Sequence, residues 1–258
     1  MTWLLHGLVV LGLLLAPGGR PYQNVTVMGA TSLISYARAA IAAWAPQHPD
    51  ARVALSGGGS YAGWYALRAG DAEIALSDIR FATGRSVRER ILGKMPILFV
   101  ANRGAGVSEV TRLGLARIFQ GRVRNWRDLG GTRQAIHIIA RPAGSGARAV
   151  VAQALGKTPP AVAQIVQLSN GAVVRAVEQT PGAIGYVEGD RAWPGVVTLS
   201  VNGFAYSRPQ GQWPFYARPR IYWRTSAPPV VQSLAATLAT SHFRRKFGIL
   251  PAPSDRAL

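Results

Sequence analysis

From Asn24 onward the chain alternates short apolar runs with amphipathic stretches. NVTVMG (24–29) reads as a strand, and Ser32 to His48 as a helix with Leu33, Ala37, Ala40, Ile41 and Trp44 on one face. RVALS (52–56) is a second strand, Ser60 to Ala69 a second helix, and EIALSD (73–78) a third strand. Strand and helix in alternation are the pattern of a parallel sheet with crossover helices. The middle repeats the theme: PILFVAN (96–102), a helix from Thr111 to Phe119, AIHIIAR (135–141), helices over Ser145 to Leu155 and Asn170 to Thr180, then AIGYV (183–187). The C-terminal part changes character. VVTLSVNGFAYS (196–207) carries an Asn202-Gly203 turn between alternating runs, a hairpin signal. A strand at RIYWRT (220–225) and a helix from Pro229 to Phe247 follow. With no low-complexity tract and no long linker, two lobes would be joined by short strand-like crossings, expected near Ala101 and Glu188.

One local pattern recurs. A strand ends, a Gly/Ser/Thr turn follows and a helix begins: GATS at 29–32, GGGS at 57–60 and AGSG at 143–146. In an open α/β sheet such turns sit beyond the carboxyl ends of the strands, where ligands bind. Each offers hydroxyls, N–H groups and the positive end of a helix dipole, so three converging turns would make an anion cage. Singly, each is an ordinary cap and tight turn. The triple glycine at 57–59 is costly in conformational entropy and implies a close approach of bare backbone. Gly57, Gly59 and Ala62, with Asp78 further on, also fit a dinucleotide-binding spacing. That loop belongs to the first βα turn of its fold, whereas here a full strand and helix precede it.

Composition narrows the choice. The chain has 258 residues, 48% hydrophobic, enough for a large core in one domain or two lobes. The net charge of +18 is nearly all arginine, Lys94, Lys157 and Lys246 being the lysines. Such a surface concentrates anions, but the arginines are scattered and not interleaved with aromatic residues, which argues against a nucleic-acid platform. The absence of cysteine excludes disulfides, thiolate metal sites, cysteine nucleophiles and a lipid-modified N-terminal cysteine. His6, His48, His137 and His242 share no ligand spacing, and no cofactor is implied. No nucleophile–base pair stands out, so the reading is not an enzyme.

The first residues, MTWLLHGLVVLGLLLAPGGR, hold an apolar run from Trp3 to Ala16. It is short against the roughly 20 residues of a membrane span. Followed by small residues, Gly and Pro, it reads as an export signal over residues 1–23, with an uncleaved anchor as the rival.

The runs VTVMGATSL, VALSGGGSYAG, IALSDIR, LARIFQGRVRNWRDLGG, ARPAGSGAR and PGAIGYVEG resemble, in this order, segments of the periplasmic phosphate-binding proteins of ABC importers. The resemblance spans about residues 24 to 225, and Ile118 to Gly131 and Pro181 to Gly189 are its most specific parts. It implies a type II periplasmic-binding fold: two α/β lobes with mostly parallel sheets flanked by helices, hinged around a buried oxyanion. The expected division is lobe 1 over 24–100 and 189–258, and lobe 2 over 101–188. Carried over by position, the phosphate ligands would be Thr31, Ser32, Gly59, Ser60, Asp78, Arg141, Gly144, Ser145, Gly146 and Ala147. An ionised Asp78 can only accept hydrogen bonds, so it suits an anion that carries a proton, as phosphate does and sulfate at neutral pH does not.

Two positions depart from the family pattern. Ala147 stands where threonine is common and Ala143 where an acidic residue often orients the arginine, which predicts weakened affinity unless Arg148 or water compensates. The resemblance also implies a monomer that delivers phosphate to a membrane permease. An exported protein of the same fold used for sensing, adhesion or assembly is the alternative. Trp126 and Asp128 read as packing and turn residues, as do the aromatic–proline clusters AWPG and QWPFYARP, and HFRRKF (242–247) as a solvated basic helix end.

Overall fold

The computed structural model describes residues 21–156, 165–189, 193–206, 213–240, 242 and 244–251. The expected export signal falls on residues 1–20, outside the described set, apart from its last three positions. Among the described residues no helix is long and apolar enough to cross a membrane.

The chain runs along β1 (Gln23–Gly29), α1 (Ile34–Trp44), β2 (Ala51–Gly57), α2 (Ser60–Ala69), β3 (Ile74–Ser77) and β4 (Val87–Ile91). It continues through β5 (Met95–Asn102), β6 (Glu109–Val110), α3 (Arg112–Phe119), β7 (His137–Ala140), α4 (Gly146–Ala154) and β8 (Ile165–Val166). Then come α5 (Asn170–Gln179), β9 (Ala183–Glu188), β10 (Val196–Thr198), β11 (Ser200–Val201), β12 (Tyr216–Ala217), β13 (Arg220–Arg224) and α6 (Pro229–Ala239).

These strands form two main sheets. The first has the order β2-β1-β3-β13-β4, and the second β10-β5-β9-β7-β8 with β12 also paired to β5. The parallel pairs expected from strand–helix alternation are β1 with β2 and β3, and β7 with β8 and β9. Antiparallel strands complete each sheet: β13 lies against β3 and β4, and β5 against β9 and β10. Successive strands belong to different sheets between Ile91 and Met95 and again between Ala217 and Arg220. Ala101 and Glu188 lie inside strands of the second sheet.

Each sheet carries its own core. Val25, Val27, Ile74 and Leu76 of the first pack with Leu33, Tyr36 and Ala40 under α1 and with Val231 and Leu234 of α6. Ile97, Phe99, Ile139, Ile184 and Tyr186 of the second pack with Leu115 and Phe119 of α3 and Val173 and Val177 of α5. The burial pattern follows the covering. β9, sandwiched on both faces, is buried over all six residues, while β2 at the sheet edge alternates. Trp126 is buried and donates to the carbonyl of Gly182 at 2.7 Å, a packing role as expected. Trp213 does likewise, donating to the carbonyl of Ile97 and packing edge-on against Phe215.

Two local expectations fail. The Asn202-Gly203 turn exists, with Asn202 at φ 52°, but it closes only a single bridge between Val201 and Phe204. β10 pairs with β5 and β11 with β6, because those partners offer buried faces that a free hairpin lacks. The last helix ends at Ala239, where Thr240 turns extended, and a separate short 3₁₀ turn covers Arg244–Phe247. Arg244 reaches back to the carbonyls of Ala239 and Thr240, capping the helix it was expected to continue. The strand β4 gave no periodic signal: VRERI carries three charged residues in a row, Arg88, Glu89 and Arg90, and it forms through pairing with β13.

Candidate functional site

The parallel strands β1, β2, β3 and β7 all end on one seam between the sheets. β1 ends at Gly29, and Ala30 leads into a 3₁₀ turn, Thr31–Leu33, that opens α1. After β2, Gly59 takes φ 91° and Ser60 becomes the first residue of α2, with its hydroxyl unused as a cap. Asp78 follows β3 directly and Arg141 follows β7 directly. Ser145 caps α4, accepting a long hydrogen bond from the Arg148 N–H.

Close backbone contact explains the glycines. A Cβ on Gly59 would stand 2.4 Å from the carbonyl oxygen of Gly144, and one on Gly146 would stand 2.3 Å from Ser60 Oγ and 2.8 Å from Asp78 Cβ. The turns GGGS and AGSG thus meet face to face across the seam, and Tyr61 N–H donates to the Gly144 carbonyl. Ala147, one residue further, is fully buried with its methyl in the second core.

The side chains form one connected set. Ser32 Oγ donates to Asp78 Oδ1 at 2.7 Å, and the Asp78 N–H donates to Ser60 Oγ at 3.0 Å. Arg141 crosses the seam: Nη2 donates to Thr31 Oγ1 at 2.6 Å and to the Leu168 carbonyl, and Nη1 donates to Asn170 Oδ1 at 2.9 Å. Its own backbone is braced, the N–H by the Tyr186 hydroxyl and the carbonyl by Arg148 Nη1. Ser60, Asp78, Arg141 and Ser145 are all buried.

A second carboxyl belongs to this set. Glu188, the last residue of β9, is buried, and its Oε2 lies 4.0 Å from Arg141 Nη1. Asn170 grips its backbone, donating to the Glu188 carbonyl and accepting from the Glu188 N–H. Loss of hydration raises Asp78 above its usual range, opposed by hydrogen bonds from Ser32, Glu188 and Ser60 and by the Arg141 charge. Burial, followed by the charge of Asp78, pushes Glu188 well above the ordinary carboxylate range, with Arg141 pulling the other way. Beside Asp78 a cleft of about 400 Å³ opens between the lobes, lined among others by Arg80, Gln153, Tyr216, Arg218 and Arg220.

The ten residues singled out in the sequence therefore lie together on the seam. Glu188, Asn170 and Arg148 were not singled out as site residues. Glu188 is the one whose position carried a signal, an acid closing the apolar run AIGYV at a strand's carboxyl end. What has gathered here is a guanidinium, hydroxyls and the starts of three helices around two carboxyls, a dehydrated place for a small anion that also has a proton to donate.

Comparison with known proteins agrees with this chemistry. Residues 16–207 match the family model of the PBP superfamily domain. The chain is 30% identical over 214 residues to the phosphate-binding protein PstS of Bacillus subtilis, covering 79% of this chain and 71% of that protein. Among solved structures it resembles a phosphate ABC transporter substrate-binding protein of Clostridium perfringens with bound phosphate. That match has a TM-score of 0.81 at 19% identity and covers 89% of this chain and all of the other. An ABC-type phosphate transport receptor of Vibrio cholerae gives 0.75 at 23% identity, covering 88% and 100%. At these identities the structural matches establish the fold.

Proposed function

The chain belongs to the PBP superfamily and is homologous to the phosphate-binding protein PstS, and on that premise we propose that it is an exported solute-binding protein that closes two lobes around inorganic phosphate for ABC-type import. The observation that carries the reading is the pairing, in one buried seam, of the Arg141 fork with the carboxyl of Asp78.

In this reading the guanidinium and the helix N-termini neutralise the oxyanion. The hydroxyls of Thr31, Ser60 and Ser145 and the N–H groups of Ser32, Gly144, Gly146 and Ala147 supply the remaining donors, while the Ser32 hydroxyl donates to Asp78 and the Gly59 N–H to the Gly29 carbonyl. Asp78 accepts the hydrogen bond from the protonated phosphate oxygen and repels an oxyanion without one. Lobe 1 is built on the first sheet and lobe 2 on the second. The arginines of the adjoining cleft raise the local anion concentration at the mouth of the site. Hinge closure is the motion that desolvates the anion, as the handling of ligands by periplasmic binding proteins illustrates. Delivery to a membrane permease is the partner step this assigns.

Equilibrium dialysis of labelled phosphate against phosphate-stripped protein tests it. One saturable site per chain is expected, and a folded protein that takes up none overturns the reading.

A further inference from the structure

Two buried polar atoms of the seam make no hydrogen bond among the described residues: Nε of Arg141 and Oε1 of Glu188. They belong to residues 2% and 3% exposed, in a fold where polar groups this deep are normally partnered. The frame around them is rigid. Asn170 holds the Arg141 fork with the same oxygen that accepts from the Glu188 N–H, while its amide donates to the Glu188 carbonyl. From β9, Glu188 thus stands against the guanidinium in the role that an acidic residue at position 143 would fill from the loop.

Three ionisable groups share this dehydrated seam, and their charges do not balance if all are ionised. Arg141 with two carboxylates carries a net negative charge before any anion arrives. With one proton between the carboxyls the set is neutral, and the anion meets an undiminished fork. Resting on the phosphate reading above, we propose that Glu188 positions Arg141 and holds, jointly with Asp78, one proton that must be present for the anion to bind. Loss of that proton at alkaline pH then puts a like charge beside the anion and weakens binding. By linkage, binding in that range takes up a proton, and affinity falls by about tenfold per pH unit.

The groups facing Glu188 are few. Asp78 comes from the end of β3, Arg141 from the end of β7 and Tyr186 from β9 itself, with Arg148 of α4 behind them, beside Tyr186 and on the Arg141 carbonyl. α5 contributes neutral Asn170, and β5 places Ile97 opposite Glu188 in the ladder. Tyr186 is pushed up to about 12 by burial and stays neutral through the range concerned. The two carboxyls are therefore the groups that titrate.

Calorimetric titration of phosphate between about pH 6 and about pH 9, in two buffers of different ionisation enthalpy, measures affinity and protons taken up together. Compared with Glu188→Gln, which keeps the shape but has no proton to lose, the wild type is expected to lose at least about tenfold more affinity across the range. It is also expected to take up a proton at the alkaline end that the variant does not. Phosphate's own titration is common to both and cancels. Parallel profiles with equal proton counts overturn the inference and leave the phosphate reading standing. If Glu188→Gln does not fold, the wild type still tests the proposal: binding at the alkaline end without proton uptake overturns it. Absence of phosphate binding by folded wild type overturns the phosphate reading and this inference with it.

Discussion

Arg141 donates a 2.6 Å hydrogen bond to the hydroxyl of Thr31, so a residue ending a strand of the second sheet is bonded directly to one opening a helix of the first. That bond is lobe closure in miniature. Thr31 occupies donor capacity of the same fork that an anion would engage, and the guanidinium is already aimed by Asn170 and the Leu168 carbonyl. A fork so held loses little freedom on binding.

Arg141→Lys keeps the charge and loses the fork. Phosphate affinity is expected to fall by roughly 30-fold or more, because breaking the buried, charge-assisted hydrogen bonds of the fork costs about 2 kcal/mol or more. Calorimetry of the folded variant checks it, and near wild-type affinity would remove Arg141 from the site.

Asp78→Asn removes the repulsion against a fully deprotonated oxyanion and supplies a donor in its place. Sulfate binding should strengthen by about tenfold or more while phosphate loses its advantage. The ratio of the two affinities is the measurement. An unchanged ratio would show that selectivity lies elsewhere.

Gly146→Ala separates closure from folding. Its Cβ would meet Ser60 Oγ at 2.3 Å and Asp78 Cβ at 2.8 Å, both across the seam, and Gly146 has an ordinary helical backbone. The melting temperature of the free protein is expected to fall only modestly, since the seam must part but neither sheet's core is touched. Phosphate affinity is expected to drop at least about tenfold, because closure is blocked. Small-angle scattering should show that added phosphate no longer compacts the variant.

The pH dependence of stability follows from Glu188. A carboxyl raised in the folded state binds its proton more tightly there than in the unfolded chain. Stability contributed by this residue is therefore greatest near and below the ordinary carboxylate range, and is lost as pH rises from there toward the raised value. Per titrating proton the slope is about 1.4 kcal/mol per pH unit. Glu188→Gln should flatten this decline in thermal melts of the phosphate-free protein.

Much of the site was legible because its chemistry is local. GATS, GGGS and AGSG each join a strand end to a helix start, and in a parallel sheet strand ends converge without further information. Asp78 and Arg141 were legible for the same reason, each following an apolar strand. Glu188 was not, because its importance lies in facing Asp78 and Arg141, which are distant in the chain and brought to it only by the pairing of strands. Asn170 read only as a helix start, and its amide proves to be the clamp between Arg141 and Glu188. At the level of the fold, AIGYV announced itself by unbroken apolarity, whereas the charged β4 exists only because β13 pairs with it. The expected hairpin at Asn202-Gly203 failed where its flanking strands found better-covered partners in β5 and β6.

The most direct test of the account is titration calorimetry of phosphate-stripped protein with phosphate and then with sulfate near neutral pH. Saturable one-to-one binding of phosphate, with little or no heat from sulfate, is the predicted result. Equal binding of both, or binding of neither by a folded protein, would contradict an anion cage built from Arg141 and guarded by Asp78.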